Sequence, residues 1–144
     1  MKNLFNEAEL KLITDRLNGL EGTEQRLWGK MTLGQMLRHC RLQLDMALKH
    51  VPAKDIFPSP MQWITKHTFG FMIPWPKNLV AAPEMKVTKD AEFAKERELL
   101  LERIAQMQLQ NDFGSHPFFG KMNKEEWGKI AYKHLDHHLR QFGM

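Results

Sequence analysis

A chain of 144 residues is long enough to bury an apolar core without disulfide cross-links. Its 42% hydrophobic and 26% charged residues suit a globular protein, and a single cysteine, Cys40, excludes an intrachain disulfide and points to a reducing, cytoplasmic setting. The net charge of +4 comes from basic residues spread among 17 acidic ones, with no Lys/Arg run, so nucleic acid is not an expected partner. The first residues lack the apolar run of a signal peptide. Lys66, His67 and several prolines break the most apolar stretch, Ile56 to Pro76, so no membrane partner is expected either. The whole of 1–144 reads as one domain.

The first helix opens at Asn6, whose side chain can cap the backbone, with Glu9 to close a capping box and Phe5 and Leu10 as a hydrophobic staple. Leu10, Ile13, Leu17 and Leu20 follow helical spacing, and Asn18-Gly19 is the stop. The second helix repeats this grammar with Thr32 as cap, Gln35 as box, and Met31 and Met36 as staple. Leu33, Met36, Leu37, Cys40, Leu44, Ala47 and Leu48 give it one apolar stripe, and Pro52 ends it.

Residues 51–88 form an irregular connection holding six of the seven prolines together with Phe57, Trp63, Phe69, Phe71 and Trp75. A linker would be polar, so this aromatic segment is expected to pack on the helices as a lid or crossover, with a short helix within Met61 to Met72. The third helix is expected from Asp90 to about Asn111, its stripe made by Phe93, Leu100, Leu101, Ile104 and Met107. The fourth starts after Asn123, with Glu126 as box and Met122 and Trp127 as staple, and runs almost to the end. No segment alternates as a strand does. The expected fold is all-α, a four-helix bundle with a long Pro- and aromatic-rich crossover between helices 2 and 3. A homodimer is a candidate assembly, although no stripe is clearly surplus to the core.

Three of the seven histidines fall in the fourth helix, at His134, His137 and His138. Taking 100° per residue and Trp127 as zero, His134 lies near 340°, His138 near 20° and Gln141 near 320°. Ile130 and Ala131, at about 300° and 40°, mark this face as buried. Two buried imidazoles need partners for their nitrogens, and four-residue spacing lets one helix offer two nitrogens to one metal ion. Two core histidines satisfied by side chains or water fit the same pattern. His137 sits at the edge of that face, near 280°, and Asp136 points about opposite to it.

A catalytic metal usually takes three protein ligands and keeps one position open. His39, His50, His67 and His116 are the remaining candidates. His39 stands roughly 120° off the centre of its helix's stripe, beside Gln43, on a flank that can face a groove or water. His116 precedes Pro117 in the loop before the fourth helix, near the expected rim of the site, and His50 falls at a helix C-terminus. Cys40 lies on an apolar stripe and reads as a core thiol. No glycine pattern cradles phosphate.

These residues resemble the DinB/YfiT-like superfamily, and most closely one of its small domain families of unknown function. The pieces that carry the likeness are Leu27-Trp28-Gly29-Lys30-Met31-Thr32 running to Leu37-Arg38-His39-Cys40, then His116-Pro117-Phe118-Phe119-Gly120-Lys121-Met122, and Glu126-Trp127 followed by His134 to Phe142. The resemblance implies a four-helix bundle with a divalent metal, zinc or nickel foremost, bound by His39, His134 and His138. It implies a metal-dependent enzyme acting on a small-molecule substrate, as a thiol S-transferase with a low-molecular-weight thiol or as a hydrolase. The alternative is a non-catalytic bundle that binds a ligand or partner and keeps its histidines as structural groups. No motif fixes a general base, and His116 and His137 are the candidates near the site.

Overall fold

The computed structural model describes residues Met1–Met144 and is mostly helical. There are four long helices, α1 (Glu7–Asn18), α2 (Leu33–Ala47), α4 (Phe93–Leu109) and α5 (Lys124–Gln141), and a crossover containing the short α3 (Ser59–Thr65) joins α2 to α4. No helix is long and apolar enough to cross a membrane.

The expected caps form where local chemistry dictates them. Thr32 and Asn123 each accept the amide of the third helical residue, and Gln35 and Glu126 return the bond to the cap backbone. The box at α1 is half made: Asn6 accepts the Glu9 amide, but Glu9 accepts from the Asn3 N–H at 2.5 Å. The Asn6 N–H is already bonded to the Asn3 carbonyl, so Glu9 takes the free donor next to it. Helix α4 starts at Phe93 rather than Asp90. The segment before it lies against the first turn of α2, where a Cβ on Gly34 would stand 1.9 Å from the Ala91 carbonyl oxygen. With that close backbone contact beside it, Glu92 is the extended cap and the helix begins at Phe93.

The core is formed by the stripes of all four long helices: Ile13 and Leu17 from α1, Leu37 and Leu44 from α2, Leu100 and Ile104 from α4, Trp127 and Ile130 from α5. Trp127 is fully buried and donates its indole N–H to the Gly114 carbonyl at 2.8 Å, satisfying its polar atom. Strands are present after all, as a two-residue antiparallel ladder of β1 (Ser115–His116) and β2 (Gly120–Lys121). Two residues per strand are too few to leave a period-2 pattern in the sequence.

The crossover packs on the helices. After α3 the chain continues as one π-helical turn, Lys66–Met72, and Lys133 of α5 donates to the Phe69, Gly70 and Ile73 carbonyls at its end. Thr65 donates to the Phe118 carbonyl, and Ala82 and Met85 pack against Met46 of α2. The segment's outer side is apolar: Trp63, Ile64, Met72 and Val80 are exposed. Trp63, Ile64 and Met72 lie on a short helix and a π-helical segment, which have no long single stripe to read in the sequence.

Candidate metal centre

Helix α5 presents His134 and His138 on its buried side, as the apolar flank of Ile130 and Ala131 requires. Helix α2 brings His39 to the same place. The three rings are buried, and one nitrogen from each lies within 4.8 Å of the others, close enough to hold a metal ion. Nε2 of His134 stands 2.9 Å from Nε2 of His39. His39, which helical spacing alone left between groove and water, is thus at the centre of the cluster.

The hydrogen-bond partners fix two of the three tautomers. Nδ1 of His39 is 2.7 Å from the Met85 carbonyl, which can only accept, so Nδ1 carries the hydrogen and Nε2 is bare. Gln141 donates its Nε2 to the Trp28 carbonyl at 2.8 Å, so its Oε1 faces Nδ1 of His138 at 2.9 Å and accepts from it. His138 is likewise left with a bare Nε2. Such outer partners orient ligand rings and raise their basicity in metal sites. Nδ1 of His134 is buried with no partner.

Local backbone serves this arrangement. The Leu27 N–H donates to the Gln141 carbonyl at 2.7 Å, tying the segment before α2 to the end of α5. At Gly29 φ is +80°, and an added Cβ would stand 2.4 Å from the Gln141 amide nitrogen. A side chain there would displace the residue that orients His138, which gives the Trp28-Gly29-Lys30 motif its physical reason.

Burial also sets the protonation states. It holds His39 and His134 below the ordinary histidine value, His134 well below, and pushes His138 down to about 3. Three neutral imidazoles are the form that ligates metals. His137, half-buried at the mouth between Trp28 and Trp75, is also lowered by burial and stands outside the trio. His116 is not at the rim. It is buried, stacked on Phe119 at 4.4 Å, accepts the Phe118 N–H, and is pushed by burial down to about 3, which leaves it a poor base at neutral pH. His50 lies beyond the end of α2, facing Asp45, and His67 packs on Trp63 in the crossover; neither reaches the cluster. Asp136 pairs with Arg16 and Arg140, away from the trio. Burial raises the Cys40 thiol well above its usual range, as a core thiol requires.

The trio opens into a cleft of about 680 Å³, walled by the crossover and by Trp28, Trp75 and Phe119. Residues 5–144 match the family described as "Protein of unknown function (DUF1569)". The chain belongs to this family. Comparison with curated proteins and with solved structures gives no match. The family description carries no activity, so the function of this DUF1569 protein has to be argued from the cleft. Two groups in it carry little signal in the sequence. The Met85 carbonyl is backbone from an irregular segment and leaves no side-chain signal. Gln43 stands four residues after His39, and that spacing on the flank of α2 was its available signal.

Proposed function

We propose that this protein is a metal-dependent enzyme of the DinB-like four-helix-bundle type, with one divalent ion, zinc or nickel, held by His39, His134 and His138. The observation that carries this reading is the pair of fixed tautomers: the Met85 carbonyl and Gln141 leave bare Nε2 atoms on His39 and His138, in a buried cluster with no carboxylate lining the cleft. Bare buried nitrogens this close repel unless a proton or a cation lies between them. When bound, an ion with three protein ligands supplies an open position at which the pKa of water or a thiol falls towards neutrality.

The remaining residues do the rest of the work. Gln141 and the Met85 carbonyl hold the rings in place, and Trp28 and Trp75 narrow the mouth and limit water. His137, in the cleft wall outside the trio, is positioned to take and return a proton. Transfer of a low-molecular-weight thiol or hydrolysis are the reactions this set supports.

The competing reading, a non-catalytic ligand-binding bundle, draws on one contact. His134 can donate from Nε2 to the bare Nε2 of His39 at 2.9 Å and answer that pair of nitrogens without an ion, with His134 Nδ1 still unpaired. Metal analysis of protein purified without a histidine tag separates the two. The enzyme reading expects about one equivalent of metal per chain after reloading with zinc, nickel, iron or manganese in turn. Less than about half an equivalent of every one of them overturns it.

A further inference from the structure

The cleft contains a second unanswered polar group, distinct from the histidines. Gln43 is 1% exposed and lines the cleft together with His39, one helical turn before it on α2. Neither its Oε1 nor its Nε2 has a hydrogen-bond partner. A primary amide offers two donors and an acceptor with two lone pairs, and burying both ends unpaired is costly unless something from outside the chain meets them.

We infer that Gln43 is the specificity-determining residue of this cleft and that its ligand carries an amide group, a carbonyl oxygen and an N–H side by side, on an apolar body. An anion would meet only the Nε2 end and a cation only the Oε1 end. An amide meets both, in the two-point arrangement that primary amides make with one another. The body of the ligand follows from the walls, where Leu79, Ala82, Met85, Phe118 and Phe119 are apolar and no Asp or Glu is present. Lys30 and Lys86 are the only lysines or arginines lining the cleft. Because Gln43 and His39 share one row of α2, a ligand held by Gln43 lies against the histidine trio. The inference stands with or without an ion there.

Buried water is the competing occupant, since a water molecule can also serve both ends of the amide. Three probes of similar size discriminate: hexanamide, hexanoate and 2-heptanone, each titrated into chelator-treated and zinc-loaded protein. Binding is followed by Trp28 and Trp75 fluorescence and by the Gln43 side-chain NH2 resonances. Hexanamide is expected to bind about tenfold tighter than either of the others and to shift those resonances. Gln43→Met is expected to weaken hexanamide about tenfold, to weaken 2-heptanone less because its carbonyl loses one contact rather than two, and to melt no lower than the parent, because it removes an unpaired buried amide. If that variant does not fold, the ranking of probes and the resonance shift decide on the unaltered chain. Equal affinities, no binding of hexanamide, unmoved resonances at saturation, or hexanamide binding indifferent to Gln43→Met would each overturn the inference. Metal content is measured separately, so loss of the metal reading and loss of this one are distinguishable.

Discussion

Helix α2 separates two buried polar regions that follow opposite rules. On the side facing α4, Glu96 accepts from Arg38 and Arg41 at 2.9 Å each, and Asp45 accepts from Arg41 at 2.7 Å and from Arg103 at 2.6 Å. Both carboxylates are answered from within the chain. On the side facing the cleft, His134 Nδ1 and both ends of the Gln43 amide have no partner. The first region needs nothing from outside and joins two helices. The second leaves buried polar atoms unpaired, which costs stability. Polarity and burial are shared by these two regions, and saturation of the hydrogen bonds distinguishes them.

The largest effect is expected from breaking the saturated side. Glu96→Ala leaves Arg38 and Arg41 facing each other without their shared anion. The loss should be about 3 kcal/mol, towards the low end for a buried pair because both arginines reach some water. Urea unfolding at neutral pH measures it, and a loss under about 1 kcal/mol would show that the network is no more than a surface feature.

Acid tests the histidine side next. His116 is pushed by burial from 6.5 to about 3. Between these values the unfolded chain binds a proton there and the folded chain does not, so stability is complete above about pH 6.5 and falls as pH is lowered. For this one group the loss at pH 5 should be about 2 kcal/mol. The difference in stability between pH 7 and pH 5, measured for the parent and for His116→Leu, should shrink by roughly that amount in the variant. An unchanged difference would mean that His116 is not buried as a neutral ring.

The smallest stability effect is expected at Gln141. Gln141→Leu orphans the Trp28 carbonyl and the His138 Nδ1–H, a cost of about 1–2 kcal/mol. Its larger consequence should be in metal affinity, weakened about 10- to 100-fold in a competition titration with a chromophoric chelator, because His138 loses the partner that orients it. Equal affinity in parent and variant would detach Gln141 from the site.

How much of this the sequence carried depends on whether side-chain spacing or backbone did the work. The boxes at Thr32 and Asn123 and the buried placement of His134 and His138 are local consequences of helix geometry, and they were legible. His39 was not legible from its own helix. The apolar stripe defines one face, whereas the cleft wall is a second face that only the crossover makes interior; the family resemblance supplied it. Glu96 was hidden differently. It belongs to a helix face rich in charge, which reads as solvent-facing until Arg38, Arg41 and Arg103 are seen to converge on Glu96 and Asp45. The π-helical segment and the Met85 carbonyl are backbone features of the connection between α2 and α4, and the two-residue strands of the loop before α5. No periodicity announces them.

The central claim is that the open side of α2 is completed by a metal ion, and melting curves of the parent and of His134→Ala, each with and without chelator, test it most directly. The account predicts that chelation lowers the melting temperature of the parent by several degrees and leaves His134→Ala unmoved, so that the two perturbations do not add. A parent indifferent to chelator, with His134→Ala destabilised equally in both conditions, would contradict it and leave the histidines as core groups.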